Sequence, residues 1–184
     1  MRVFITRHGE SEWNQLGLLQ GRFDSHLSTH GQHQAKALSK QVKNLNIQVV
    51  ATSPLQRAKH TAETCQQACN SDLIVIDQLS ERDFGVWQGK KIVELEQQHG
   101  LFSHPNTSIP EAEEPHICSE RFHQALIELN QQYGNKNVLV VSHGEVIRNF
   151  MHFALKLEKS IILDNCQVIE LTLTNNGFQL VDSL

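Results

Sequence analysis

The sequence predicts an α/β fold of three layers, helix–sheet–helix, with a mostly parallel central sheet and an antiparallel edge. Two observations predict it. Short apolar runs at Val3 to Thr6, Ile47 to Ala51, Leu73 to Ile76 and Asn137 to Val141 alternate with stretches of helical periodicity. That is the pattern of strands buried on both faces and joined by crossover helices. The chain then closes with two further runs, Val168 to Thr174 and Phe178 to Val181, around Asn175-Asn176-Gly177, a turn that joins antiparallel neighbours.

Each element has its own signal. Val3 to Thr6 reads as a central strand, followed by an amphipathic helix over His30 to Leu45 with Ala35, Leu38, Val42 and Leu45 on one face. After the second strand, Ser53-Pro54 reads as an N-cap with proline at the first helical position. The helix that follows directs Leu55, Ala58, Ala62, Cys65 and Cys69 inward. From Asp77 to Glu120 the periodicity breaks up: only Ile92 to His99 looks helical, and Ser103 to Pro115 holds three of the four prolines. Residues 77–120 are too long for a passive connection and read as a lid or substrate loop. A helix carrying Phe122, Leu126, Leu129 and Tyr133 restores regular structure, and another runs from Gly144 to about Leu155.

With 184 residues, residues 1–184 are expected to form one domain with a core that needs no staples. A net charge of −4 argues against a general nucleic-acid binder, which needs a basic face, yet leaves room for a small cationic pocket. No apolar stretch approaches the roughly 20 residues that span a bilayer, and the N-terminal run is too short for a signal segment. The expected location is therefore the cytoplasm, with no membrane partner. Cys65, Cys69, Cys118 and Cys166 are expected as reduced thiols, since no second pair completes a zinc site. The closing hairpin offers an edge strand for pairing, without specifying an oligomeric state.

Arg7-His8-Gly9-Glu10 follows the first apolar run, and Ser142-His143-Gly144-Glu145 follows Val138 to Val141. Two strands that each end in a His-Gly pair suggest two imidazoles at one sheet edge, where open α/β sheets bind ligands. An imidazole held through one nitrogen presents the other as a nucleophile. Arg7 and Arg57 offer planar forks matched to phosphoryl oxygens, and Arg57, in the first turn of its helix, is unfavourable there without an anion. His143, if protonated, adds a cation, and the helix starting near Gly144 points free N–H groups at the same place. Phosphoryl transfer needs mainly such positioning and charge stabilisation, without a metal or other cofactor. Glu81 is the candidate acid if burial raises its pKa.

Arg7-His8-Gly9-Glu10-Ser11 with Asn14 resembles the signature of the histidine phosphatase superfamily, which includes the cofactor-dependent phosphoglycerate mutases. The likeness continues through Gln20-Gly21, Asp24, Leu27-Ser28 with Gly31, Gln34-Ala35, Ser53-Pro54-Leu55 with Arg57, and Thr61-Ala62. It ends with Leu79, Glu81, Gly85, Gly89 and Val141-Ser142-His143-Gly144. The resemblance implies a phosphoglycerate mutase-like fold and His8 as the phosphorylated nucleophile. It implies that Arg7, Arg57 and His143 grip the phosphate and that Glu81 is the proton donor. Asn14, Gln20, Gly21 and the Gly144 amide complete the phosphate-binding set. Two positions depart from the family pattern: His26 stands where a proline is usual, and Pro110-Glu111-Ala112-Glu113-Glu114 lacks a usual glycine and serine.

Plainer readings stand beside these. His26, His30 and His33 lack a completing ligand and fit exposed helix residues better than a metal site. Trp13 and Trp87 fit packing as well as a substrate pocket, and Glu111, Glu113 and Glu114 fit a solvated face. The leading expectation is a metal-independent phosphatase acting on a small phosphorylated metabolite. A mutase is the alternative, and a non-catalytic phosphate-binding module is an alternative of another class. Between Lys91 and Arg121 there is no Lys or Arg, which favours a substrate with one phosphate and a less charged remainder.

Overall fold

The computed structural model describes residues 2–100, 109–157, 162–174 and 177–183. Its strands are β1 (Arg2–Arg7), β2 (Val49–Thr52), β3 (Asp72–Val75), β4 (Asn137–Ser142), β5 (Val168–Thr174) and β6 (Gly177–Ser183). They form one six-stranded sheet in the order β3-β2-β4-β1-β5-β6. The pairs β1–β4, β2–β4 and β2–β3 are parallel, whereas β1–β5 and β5–β6 are antiparallel. This is the expected mostly parallel sheet with an antiparallel edge. The predicted hairpin residues Asn175 and Asn176 lie outside the described residues.

The helices are α1 (Glu12–Gln15), α2 (Thr29–Val42), α3 (Gln56–Cys69), α4 (Ile92–His99), α5 (Pro115–Tyr133) and α6 (Gly144–Phe153). Helices α2 and α3 pack together, as do α5 and α6, and the pairs cover opposite faces of the sheet. The period of two along each strand explains the sorting. Val3, Ile5, Val138 and Val140 pack with Phe122 and Phe150. Their neighbours Phe4, Leu139 and Val141 pack with Leu38, Ala58 and Ala62 on the other side. Both sets are buried, which is why these strands read as continuous apolar runs rather than alternating ones.

Several boundaries differ from expectation for identifiable reasons. Helix α3 begins at Gln56, and Ser53 is not its cap. Ser53 Oγ instead bonds His143, and the Gln56 N–H donates to Asp24 Oδ2 at 2.5 Å, so a remote carboxylate caps this helix. The helix predicted through Leu45 ends at Val42 and continues as a single 3₁₀ turn, Lys43–Leu45, before Asn46 turns left-handed at φ +52°. The predicted end near Leu155 falls at Phe153. Leu55 and Cys69 are half-buried rather than fully inward. All four cysteines are free.

Candidate active site

The register of β1 on β4 builds the centre. Arg7 pairs with Ser142, so His8 and His143 leave adjacent parallel strands side by side. The His8 N–H still donates to Ser142 O at 2.9 Å, and the ring centroids are 5.1 Å apart. The chain leaves β1 toward β2 and leaves β4 toward β5, in opposite directions across the sheet. That switch in strand order opens a crevice at the carboxyl ends. Gly9 is required there, because a Cβ on it would lie 2.5 Å from Gly31 O.

His8 is held as one tautomer. Its Nδ1–H donates to Gly9 O at 2.7 Å, while Nε2 accepts from Arg57 Nε at 3.3 Å. Burial, then Arg57 and Arg7, pushes its pKa well below the usual imidazole range, so Nε2 is unprotonated at neutral pH, with Arg57 the donor to its lone pair. Asn165 Nδ2 fixes the His8 carbonyl at 2.7 Å.

Arg57 is 1% exposed. It donates to Gly21 O at 2.8 Å, to Phe23 O at 2.9 Å and to Asp24 Oδ1 at 3.3 Å. The guanidinium therefore ties the 21–24 loop to the nucleophile. Arg7 Nη1 donates to Leu163 O at 3.1 Å. Its buried Nε has no hydrogen-bond partner among the described residues. A buried, unpartnered cationic N–H is costly and suits an anion.

Glu81 lies against the start of α6. Its Oε1 accepts from Arg82 N at 2.9 Å and Val146 N at 2.8 Å, and its Oε2 accepts from Glu145 N at 3.1 Å. Burial, then the Glu145 charge, raises its pKa above the usual carboxylate range despite these donors. With Oε1 accepting two bonds and Oε2 one, Oε2 is the place for a proton. Two of the α6 N–H groups expected to face an anion thus face Glu81, and the Gly144 amide is left beside Arg7.

A cavity of about 310 Å³ joins these groups. Arg7, His8, Asn14, Gln20, Gly21, Arg57, Glu81 and Gly144 all line it. His143 does not line it: it is fully buried behind His8, with Nε2 2.7 Å from Ser53 Oγ. Burial, then Arg57 and His8, drives its pKa well below the usual range, which favours a neutral ring over the third cation that protonation would supply. Its buried Nδ1 has no hydrogen-bond partner among the described residues. Gln20 reaches the wall, but its amide is engaged by Ser11 Oγ and Ser25 Oγ, both at 2.8 Å. Asn14 Oδ1 completes a capping box with Ser11, which leaves its Nδ2 as the end able to donate.

Residues not singled out from sequence support this centre. Arg121 of α5 donates to the carbonyls of Gln78, Ser80 and Glu81 at 2.6, 2.7 and 3.0 Å. Its other edge grips Glu113, whose pKa falls below the usual range. Glu113 is therefore a half-buried ion-pair partner, not part of a solvated face. Leu18, Leu19, Phe84, Ile92 and Ile162 form the apolar wall, with Glu145 and Arg148 paired beside it. Trp87 packs with Leu95 and Ile109, Trp13 meets Phe23 edge-on, and His26, His30 and His33 are exposed.

Comparison with known proteins agrees with this fold. The profile of the "Histidine phosphatase superfamily (branch 1)" matches residues 3–183. The chain is 34% identical over 145 residues to a Bacillus subtilis protein named uncharacterized phosphatase PhoE, covering 79% of this chain and 72% of that one. It is 33% identical over 178 residues to a Klebsiella pneumoniae protein named probable phosphoglycerate mutase GpmB, covering 91% and 83%. A solved phosphoserine phosphatase from Entamoeba histolytica, in complex with 3-phosphoglyceric acid, superposes with a TM-score of 0.85. That structure is 27% identical and the match covers 99% of this chain and 95% of the other.

Proposed function

Because the chain belongs to the histidine phosphatase superfamily, we propose that it is a metal-independent phosphatase hydrolysing small phosphomonoesters through a phosphohistidine on His8. One observation carries this reading: His8, whose Nδ1–H is tied to Gly9 O so that Nε2 is the unprotonated nitrogen, lines one cavity with Arg7, Arg57 and Glu81. In the first step Nε2 attacks phosphorus, the P–O bond to the alcohol breaks, and Glu81 Oε2 gives its proton to the departing oxygen. In the second, water attacks phosphorus, its proton passes to Glu81, and the P–N bond breaks to release inorganic phosphate. Arg7, with its unpartnered Nε, and Arg57 neutralise the PO₃ group in both steps. The Gly144 amide, Asn14 Nδ2 and the Gly21 backbone add neutral donors, His143 braces the ring, and Gln20 acts by bracing the wall.

We further take residues 1–184 as one domain, with 77–120 as the segment that meets the substrate. Glu81, Phe84 and Ile92 support this by lining the cavity; residues 101–108 lie outside the described residues. Among the described residues no helix is long and apolar enough to cross a membrane. The four free thiols support the cytoplasm as the compartment.

A mutase is the second reading, favoured by the 33% identity to a relative named for that activity. Incubation with 4-nitrophenyl phosphate and a chelator separates the readings. Sustained turnover that His8→Ala abolishes supports the phosphatase. Exchange of 3- and 2-phosphoglycerate only, dependent on a bisphosphate primer, supports the mutase. Silence in both assays leaves a phosphate-binding module.

A further inference from the structure

The cavity continues past the phosphate groups into a half of different chemistry, and on the phosphatase reading above this half meets the alcohol part of the ester. We propose that this part is apolar: the substrate is an aryl, benzylic or branched-alkyl phosphomonoester, not a sugar phosphate or a phosphorylated carboxylic acid.

Leu18, Leu19, Phe84, Ile92 and Ile162 supply the wall. Three of its five backbone donors are already engaged. Leu18 N donates to Trp13 O, Leu19 N to Lys90 O and Ile92 N to Gly17 O, each at 2.9 Å. Of the two side-chain amides that line the cavity, Gln20 has both ends occupied by serine hydroxyls, and the free end of Asn14 is the donor assigned above to the phosphate. A polyol entering this half would therefore give up its bonds to water and find few replacements. An apolar group would lose nothing and would bury surface.

A carboxylate would fare no better. The ionic groups on this wall are Glu145 and Arg148, already joined to each other, with Arg82 Nη1 4.0 Å from the same Glu145 oxygen. An incoming carboxylate would meet the Glu145 charge, a repulsive element that selects against acidic substrates. The volume of about 310 Å³ holds a phosphate with one ring or a short branched chain, at the small end of ligand cavities.

The test compares benzyl phosphate with glycerol 1-phosphate, whose primary alkoxide leaving groups are similar in basicity, so that the ratio of kcat/KM reads the wall and not the bond broken. The ratio is expected to favour benzyl phosphate by about tenfold or more, with 3-phosphoglycerate poorer still. Ile162→Asn changes a side chain that is 65% exposed, which spares the core, and should lower the ratio about two- to tenfold. Equal or better His8-dependent turnover of glycerol 1-phosphate or 3-phosphoglycerate overturns this inference while leaving the phosphatase standing. An unchanged ratio in Ile162→Asn also overturns it. Turnover that survives His8→Ala, or none of any ester, overturns the phosphatase reading and this inference with it.

Discussion

The inner and outer halves of the cavity are built on different supports. The inner half hangs on the sheet: the parallel pairing of β1 with β4 sets His8 beside His143, and α3 carries Arg57. The outer half is assembled from residues 18–19, 84, 92 and 162, which come from loops and the start of a short helix. The first half fixes His8 and Arg57 on rigid elements and holds the loop residue Glu81 through backbone donors of α6, and the second can change sequence with less disturbance to them. Chemistry and selectivity are thus held by separable parts of one cavity.

That separation is open to direct attack. The largest effect is expected from His8→Ala, which should lower kcat by at least about 10⁴-fold for every ester; steady-state kinetics with an unchanged circular dichroism spectrum would check it. Glu81→Gln should slow alkyl esters about 10²–10⁴-fold and activated aryl esters much less, and equal losses for both would count against Glu81 as the acid. Arg7→Met should reduce kcat by about 10²–10³-fold, the scale of losing one preorganised anion donor, and weaken inhibition by inorganic phosphate. Outer-wall substitutions belong in another class, altering substrate ranking more than kcat. A change in the wall that matched the loss in Arg7→Met would erase the distinction drawn here.

Smaller effects concern pH. His8 must be neutral to attack, and its lowered pKa places the acid limb of kcat/KM below the usual imidazole range. Glu81 must be protonated to donate, and its raised pKa places the basic limb above the usual carboxylate range. Glu145→Gln removes a charge that raises the Glu81 pKa, so the basic limb should move to lower pH while the acid limb stays. A basic limb that did not move would remove Glu145 from the account. Ser53→Ala, which deprives His143 Nε2 of its partner, should cost roughly fivefold in kcat, about one hydrogen bond.

The same division governs what the sequence made legible. The strands declared themselves because burial on both faces makes an uninterrupted apolar run, and the two His-Gly pairs stood at their ends. Arg57 and Glu81 joined them as residues of fitting type after further strands, and family likeness then added Asn14, Gln20 and Gly21. Less legible was whatever depends on partners distant along the chain. Asp24 caps α3 from 32 residues away, and no local pattern announces it. Arg121 holds the backbone around Glu81 from 40 residues beyond, so nothing local marks that arginine, and its partner Glu113 reads as part of a solvated face. The lowered pKa of His143 follows from complete burial beside Arg57, a tertiary property. Gln20 matched the pattern of a phosphate ligand, yet two serines engage it.

The central claim is that a neutral His8 takes the phosphoryl group on Nε2. Rapid quenching of the enzyme during turnover, followed by peptide mass spectrometry and ³¹P NMR in alkali, tests it most directly. An alkali-stable, acid-labile phosphoryl group on His8 Nε2, formed and lost at rates compatible with kcat, is the predicted result. Turnover with no phosphoryl group on His8, or with the label on another residue, would contradict it.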